Sequence, residues 1–146
     1  MRFCTLLCAG LLLAGCAEEP DRLVDTTTGD DRFELTLEAT DDWVRPGFAL
    51  PIKVRVESLT GPLDEPWQAE LELVANNGNV SPSSLNVVFG GVAEGETADA
   101  ADSVFEAWIT FAAGSRITTA VQGEVHALFL DVHSALKIRI TPEFVE

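Results

Sequence analysis

Two histidines, His126 and His133, are the residues of this chain whose type best suits acid–base or metal chemistry. Asp131 lies between them, so a serine–histidine–aspartate arrangement is one chemistry to consider. The chain has no Gly-x-Ser-x-Gly segment, the turn on which one large class of hydrolases presents its nucleophile. No cysteine or His-x-His spacing offers the further ligands of a zinc site. We therefore predict no catalytic residues, no enzyme activity, no small-molecule substrate and no metal site.

Acidic residues recur in the segments that we predict to be loops. They occur as Asp30-Asp31, Asp41-Asp42, Asp64-Glu65 and within 94–102. Calcium requires six to eight oxygen ligands at defined spacing, and none of these runs has the order of an EF-hand loop. The acids are better explained as a solvated surface, so we predict no bound ion and no cofactor in the folded domain.

Cys16 has the most specific chemical surroundings of any residue in the chain. It follows an apolar run from about Thr5 to Leu13, behind a single positive residue, Arg2. A run of this length is too short for a permanent transmembrane helix and is typical of a signal-peptide core. Cys4 and Cys8 lie inside this leader, so removal of the leader would leave Cys16 as the one thiol and no internal disulfide.

The segment Leu13-Ala14-Gly15-Cys16 resembles the lipobox of bacterial lipoproteins, which are cleaved just before a cysteine that carries acyl chains. The resemblance covers only the leader. It implies a signal peptide over 1–15, a thioether-linked lipid on Cys16 and a membrane anchor. The next residues are Ala17 and Glu18, without the aspartate that often marks retention in the inner membrane. This implies an outer-membrane lipoprotein of the cell envelope, on its periplasmic or surface face. The alternative is an ordinary secretory leader with an incidental cysteine.

The composition limits the partners. The chain carries 24 acidic and 9 basic residues, for a formal net charge of −15. A domain this acidic repels polyanions, which argues against nucleic acid and against adsorption to an anionic lipid surface. The stretch 16–31 is acidic, rich in threonine and poor in apolar residues, so we predict a flexible tether rather than a binding tail.

From Phe33 onward apolar and polar residues alternate with period two, the pattern of half-buried strands, and no segment keeps a helical period over three turns. The predicted strands are Phe33–Ala39, Leu50–Val56, Trp67–Leu73, Leu85–Phe89, Val104–Ala112, Ile117–Val121, Val125–Val132 and Leu136–Ile140, with breaks at Gln122-Gly123 and His133-Ser134. We predict one all-β domain over 32–146, a sandwich or barrel of about seven to nine antiparallel strands.

The order of these features resembles bacterial immunoglobulin-like (Ig-like) domains of the invasin/intimin type. The segments that carry the resemblance are Leu35-Thr36-Leu37-Glu38-Ala39, Ile52-Lys53-Val54-Arg55-Val56, Pro62-Leu63 ahead of Ala69-Glu70-Leu71-Glu72-Leu73, and Asn77-Gly78-Asn79-Val80-Ser81-Pro82. The C-terminal third departs from the family by one additional long apolar strand. The resemblance implies a single Ig-like β-sandwich that acts as a structural or adhesive module, without catalytic residues.

Candidate binding residues follow from the phase of the aromatic side chains. Trp67 is in phase with the predicted core, whereas Trp108 shares the outer face of its strand with Glu106 and Thr110. Two hypotheses remain. One is a lipid-anchored Ig-like module with an envelope protein as partner; the other is a carbohydrate-binding sandwich that uses Trp108 and Trp43. Sugar platforms usually need several coplanar aromatic side chains, and the absence of tyrosine favours the first hypothesis.

Overall fold

The computed structural model describes residues 23–28, 31–63, 65–90 and 100–142. The predicted signal peptide and the lipidation residue Cys16 lie outside the described residues. Within the described part the only helical element is one 3₁₀ turn, Ala100–Ser103, so the prediction of an all-β chain is confirmed. No helix in these ranges is long and apolar enough to cross a membrane.

Ten strands make up the described part of the chain. They are β1 (Leu23–Thr28), β2 (Phe33–Ala39), β3 (Trp43–Val44), β4 (Ala49–Ser58), β5 (Trp67–Asn76), β6 (Gly78–Ser81), β7 (Ser84–Phe89), β8 (Val104–Ala113), β9 (Val121–Phe129) and β10 (Val132–Ile140). The number exceeds the predicted seven to nine because β3 and β6 are too short to show a period, and β1 has no apolar alternation.

The strands form two five-stranded sheets. The first sheet has the order β1-β2-β4-β8-β6 and the second has the order β3-β10-β9-β5-β7. Every pairing is antiparallel except that of β3 with β10, which is parallel. The prediction of a wholly antiparallel fold is therefore wrong at this one edge.

The inward side chains of both sheets form one apolar core. In β2, for example, Phe33, Leu35 and Leu37 are buried and the residues between them are partly exposed. Phe33 of the first sheet stacks on Trp67 of the second, with ring centroids 5.2 Å apart, and meets Phe129 edge-on at 5.3 Å. These contacts join the two layers into a sandwich, and they place Trp67 against the core as its phase predicts.

Two glycines, Gly78 in the first sheet and Gly123 in the second, leave room for one aromatic ring. A methyl group at Gly78 would lie 2.6 Å from Cε2 of Phe111 and 2.5 Å from the carbonyl oxygen of Ala112. At Gly123 it would lie 3.0 Å from Cζ of Phe111 and 2.9 Å from Cδ1 of Ile140. Phe111 is fully buried and its ring reaches glycines in both sheets. The absent side chains thus provide the space that the ring occupies.

The C-terminal hairpin differs from the sequence prediction. β9 runs without interruption through Gln122-Gly123, and the chain turns at Leu130-Asp131 instead of at His133-Ser134. Phe129 pairs directly with Val132, so the turn has two residues, and Leu130 has a φ of 52°. The predicted break relied on polarity, but Ser134 is a buried inward position of β10. The predicted strand over 117–120 is also wrong, since these residues form a loop.

β1 lies within the stretch that composition predicts to be a flexible tether. It pairs with β2 along its whole length, from Leu23 opposite Ala39 to Thr28 opposite Glu34. The pairing is made by backbone groups, which do not depend on an apolar side-chain pattern. Edge strands of this kind are therefore difficult to recognise from composition.

Candidate functional site

Trp108 lies on the outer face of the first sheet, as its phase in β8 predicts. Its side chain is 59% exposed, while its neighbour Ile109 points into the core. Lys53 of β4 lies directly opposite Trp108 in the ladder. The tryptophan therefore presents a large apolar ring to solvent on this face of the sheet.

A chain of ion pairs runs beside this tryptophan. Nζ of Lys53 lies 2.9 Å from Oε1 of Glu106, which is also 3.7 Å from Nε of Arg55. A terminal guanidinium nitrogen of Arg55 lies 2.9 Å from Oε2 of Glu57. We call Trp108 together with these four charged residues the Trp108 surface. The pairs are partly exposed, so each contributes little to stability, but together they order the charged side chains along the strands on one side of Trp108.

The outer face of the second sheet carries a continuous polar network, which we call the Glu124 network. Its members are Asn76 of β5, Gln122, Glu124 and His126 of β9, and His133 of β10. Oε1 of Glu124 accepts a hydrogen bond from Nε2 of Gln122 at 3.1 Å, and Oε2 of Glu124 accepts one from Nδ2 of Asn76 at 3.4 Å. The backbone N–H of Glu124 donates to Oδ1 of Asn76 at 2.7 Å.

Each histidine in the network has a defined orientation. Nε2 of His126 lies 3.2 Å from Oε2 of Glu124, and its Nδ1 lies 3.2 Å from Nε2 of His133. Because a carboxylate only accepts, a neutral His126 carries its proton on Nε2 and accepts through Nδ1 from the Nε2–H of His133. The two rings are nearly parallel, at 5°, with centroids 5.4 Å apart.

Apolar side chains border this network. Val74 lies opposite His126, is 63% exposed and belongs to β5. Leu128 lies opposite His133 and is 44% exposed. The interior strand β9 thus has one face in the core and one face open to solvent.

Trp43 and Trp108 are not brought together. Trp43 lies on β3, at the edge of the second sheet, where it lines a groove of about 320 Å³ with Arg45 and Phe48. Trp108 projects from the outer face of the first sheet. The two tryptophans therefore do not form one flat platform.

The structure unites two residues that the sequence treats as separate and adds one that it misses. His126 and His133 meet because the true turn at Leu130-Asp131 makes them diagonal neighbours across the β9–β10 hairpin. The residue that the sequence-based prediction misses is Glu124, although its two-residue spacing from His126 places both on one face of a strand. Asp131, which the sequence places between the histidines, makes no hydrogen bond to either ring within the described ranges.

Neither a conventional metal-ligand cluster in the described residues nor a similar known protein identifies the site. Among the described residues, no group of three or more His, Cys, Asp or Glu side chains could hold a metal ion. No protein-family model matches the chain, and no curated protein matches it.

Proposed function

We propose that the chain is a lipid-anchored cell-envelope protein whose Ig-like sandwich is non-catalytic and binds an envelope protein. The observation that carries the binding proposal is Trp108, a large aromatic side chain left 59% exposed on a folded sheet. Tryptophan is enriched among the residues that dominate the energy of protein interfaces. Burying it against a partner would remove a large apolar surface from water.

The surroundings of Trp108 favour a protein over a glycan. Interface anchors are typically enclosed by polar contacts that exclude water, and Lys53, Arg55 and Glu106 lie beside this ring already joined by ion pairs. Carbohydrate binding, the alternative, usually uses more than one aromatic side chain on one plane. Trp108 and Trp43 lie in different sheets, so they do not supply the shared plane of aromatic side chains that this alternative usually uses.

Strand order supports the Ig-like assignment. In Ig domains strands A, B and E share one sheet and strands C, F and G share the other. If β2, β4 and β8 are strands A, B and E, they are neighbours in the first sheet in the order A-B-E. Strands C, F and G are then β5, β9 and β10, which are neighbours in the second sheet. The assignment is a proposal from topology, together with the sequence segments that resemble the family.

The envelope location follows from the leader. The lipobox-like segment Leu13-Ala14-Gly15-Cys16 supports acylation of Cys16 and retention at the outer membrane. The test is mass spectrometry of the mature N-terminus together with membrane fractionation of Cys16→Ser. We expect a diacylglyceryl-modified Cys16 in the native chain and loss of the variant from the membrane fraction. An unmodified Cys16 would overturn the anchor.

The partner class is tested by a photo-crosslinking residue placed at position 108 in intact cells. The control places the same residue at Glu72, which is exposed on the outer face of the other sheet. We expect one discrete protein adduct at position 108 and none at position 72. A glycan array on the purified chain tests the alternative, and binding that is lost in Trp108→Ala would favour a carbohydrate ligand.

A further inference from the structure

The geometry points to a divalent transition-metal site made by the imidazoles of His126 and His133, with Glu124 as the residue that positions the first ring. Metal-ligating histidines usually donate their second ring N–H to a carboxylate, which fixes the tautomer and makes the ligating nitrogen more basic. His126 has this arrangement, because its Nε2 lies 3.2 Å from Glu124. Its Nδ1 is left to face His133.

The spacing of the two facing nitrogens fits a single metal ion. Nδ1 of His126 and Nε2 of His133 lie 3.2 Å apart. Zinc–imidazole bonds are about 2.0–2.1 Å long, so two nitrogens at this spacing subtend an angle of about 100° at the metal, close to a tetrahedral value. Metal binding needs the lone pair of His133 Nε2, so the proton on this nitrogen leaves and the neutral ring carries one on Nδ1 instead, with no net release of protons.

Both rings lie at the solvent-exposed face of the sheet, which leaves room for a change of side-chain angle when the metal binds. A metal at this position lies about 40° off the line that joins the two nitrogens, so both rings must turn toward it. The His126 side chain is 36% exposed, and His133 is exposed on the outer face of β10. Neither ring packs in the core, and solvent can supply the remaining ligands.

The charge of the chain favours a cation at this face. Three charged residues lie near the two histidines. Glu124 is on β9 with His126, Lys137 of β10 lies opposite Glu124, and Glu72 of β5 lies opposite Leu128. The formal net charge of the whole chain is −15. Imidazole selects borderline metals over Mg²⁺ and Ca²⁺, and Cu²⁺ binds most tightly of the divalent first-row series.

The experiment is a Cu²⁺ titration of the full chain in detergent, with free thiols alkylated, followed by calorimetry and electron paramagnetic resonance. We expect one Cu²⁺ per chain with hyperfine coupling to two imidazole nitrogens. H126Q and H133Q should each weaken binding at least tenfold. E124Q should weaken it about 10- to 100-fold, since this is the usual effect of removing a carboxylate behind a ligating histidine.

Lys137→Gln is the matched control, because Lys137 lies on the same face and has no metal-ligating role in the proposal. Its affinity should stay within twofold of the native value. His133 is exposed, so H133Q keeps the test valid even if H126Q unfolds. Unchanged binding in H133Q, coupling to a single nitrogen, or one metal per two chains would overturn the site. Native affinity in E124Q would overturn the positioning role of Glu124.

Discussion

Gly123 should not tolerate a side chain, although it lies in a strand where alanine is normally preferred. Glycine in the middle of a strand costs about 0.5–1 kcal/mol of folding free energy relative to alanine. Where a strand glycine has free space around it, a change to alanine would therefore stabilise the protein. Here the new methyl group meets Cδ1 of Ile140 at 2.9 Å and Cζ of Phe111 at 3.0 Å. Both neighbours are fully buried. Overpacking of this kind costs about 1–3 kcal/mol, so we expect a net destabilisation of about 1–2 kcal/mol.

A double-mutant cycle identifies the atom responsible. Ile140→Val deletes Cδ1, the nearest of the atoms that the methyl group at Gly123 would meet. Alone it should cost about 0.5–1.5 kcal/mol. Combined with Gly123→Ala it should cost less than the sum, with a coupling of about 1 kcal/mol.

Urea unfolding followed by circular dichroism measures each free energy. Gly90→Ala is the control, because a methyl group there meets nothing within 4 Å and the residue has no positive φ. It should be neutral or stabilising by up to about 1 kcal/mol. Native stability of Gly123→Ala, or simple additivity of the two changes in the cycle, would show that the methyl group does not clash with these side chains.

Three further changes test other parts of the fold by the same unfolding assay. Gly78→Ala should cost about 3 kcal/mol or more, because its methyl group would lie 2.5 Å from a backbone oxygen that cannot rotate away; a native-like stability would contradict the β6–β8 geometry. Leu130→Asn should stabilise the protein by about 0.5–1 kcal/mol, since Leu130 has a φ of 52° and asparagine tolerates the left-handed region better; a loss of stability would argue against that turn. Phe33→Ala should cost about 3–5 kcal/mol, because it removes a buried ring that packs on three aromatic side chains of the opposite sheet, and a cost below 1 kcal/mol would contradict this contact between sheets.

The sequence predicts well those strands in which side-chain burial sets the period. β2, β4, β5, β7 and β8 all lie close to their predicted positions, because one face of each packs in the core and the other meets solvent. The outward direction of Trp108 is predicted for the same reason. The period-two pattern therefore predicts which side chains face the core between the two sheets.

Elements fixed by backbone pairing or by local conformation are not visible in that pattern. β1 and β3 are held by ladders at the sheet edges, and the last turn occurs at a leucine instead of at the polar pair His133-Ser134. Misplacing this turn hides the contact between His126 and His133. The Glu124 network is therefore a product of register, which a single sequence does not give directly.

The early start of β1 has a mechanical consequence if Cys16 carries the proposed lipid. Leu23, where β1 begins, is only seven residues beyond Cys16. A fully extended chain covers at most about 3.6 Å per residue, so Leu23 lies no more than about 25 Å from Cys16. The sandwich would then be confined to a layer close to the lipid headgroups, where a binding partner would have to approach it.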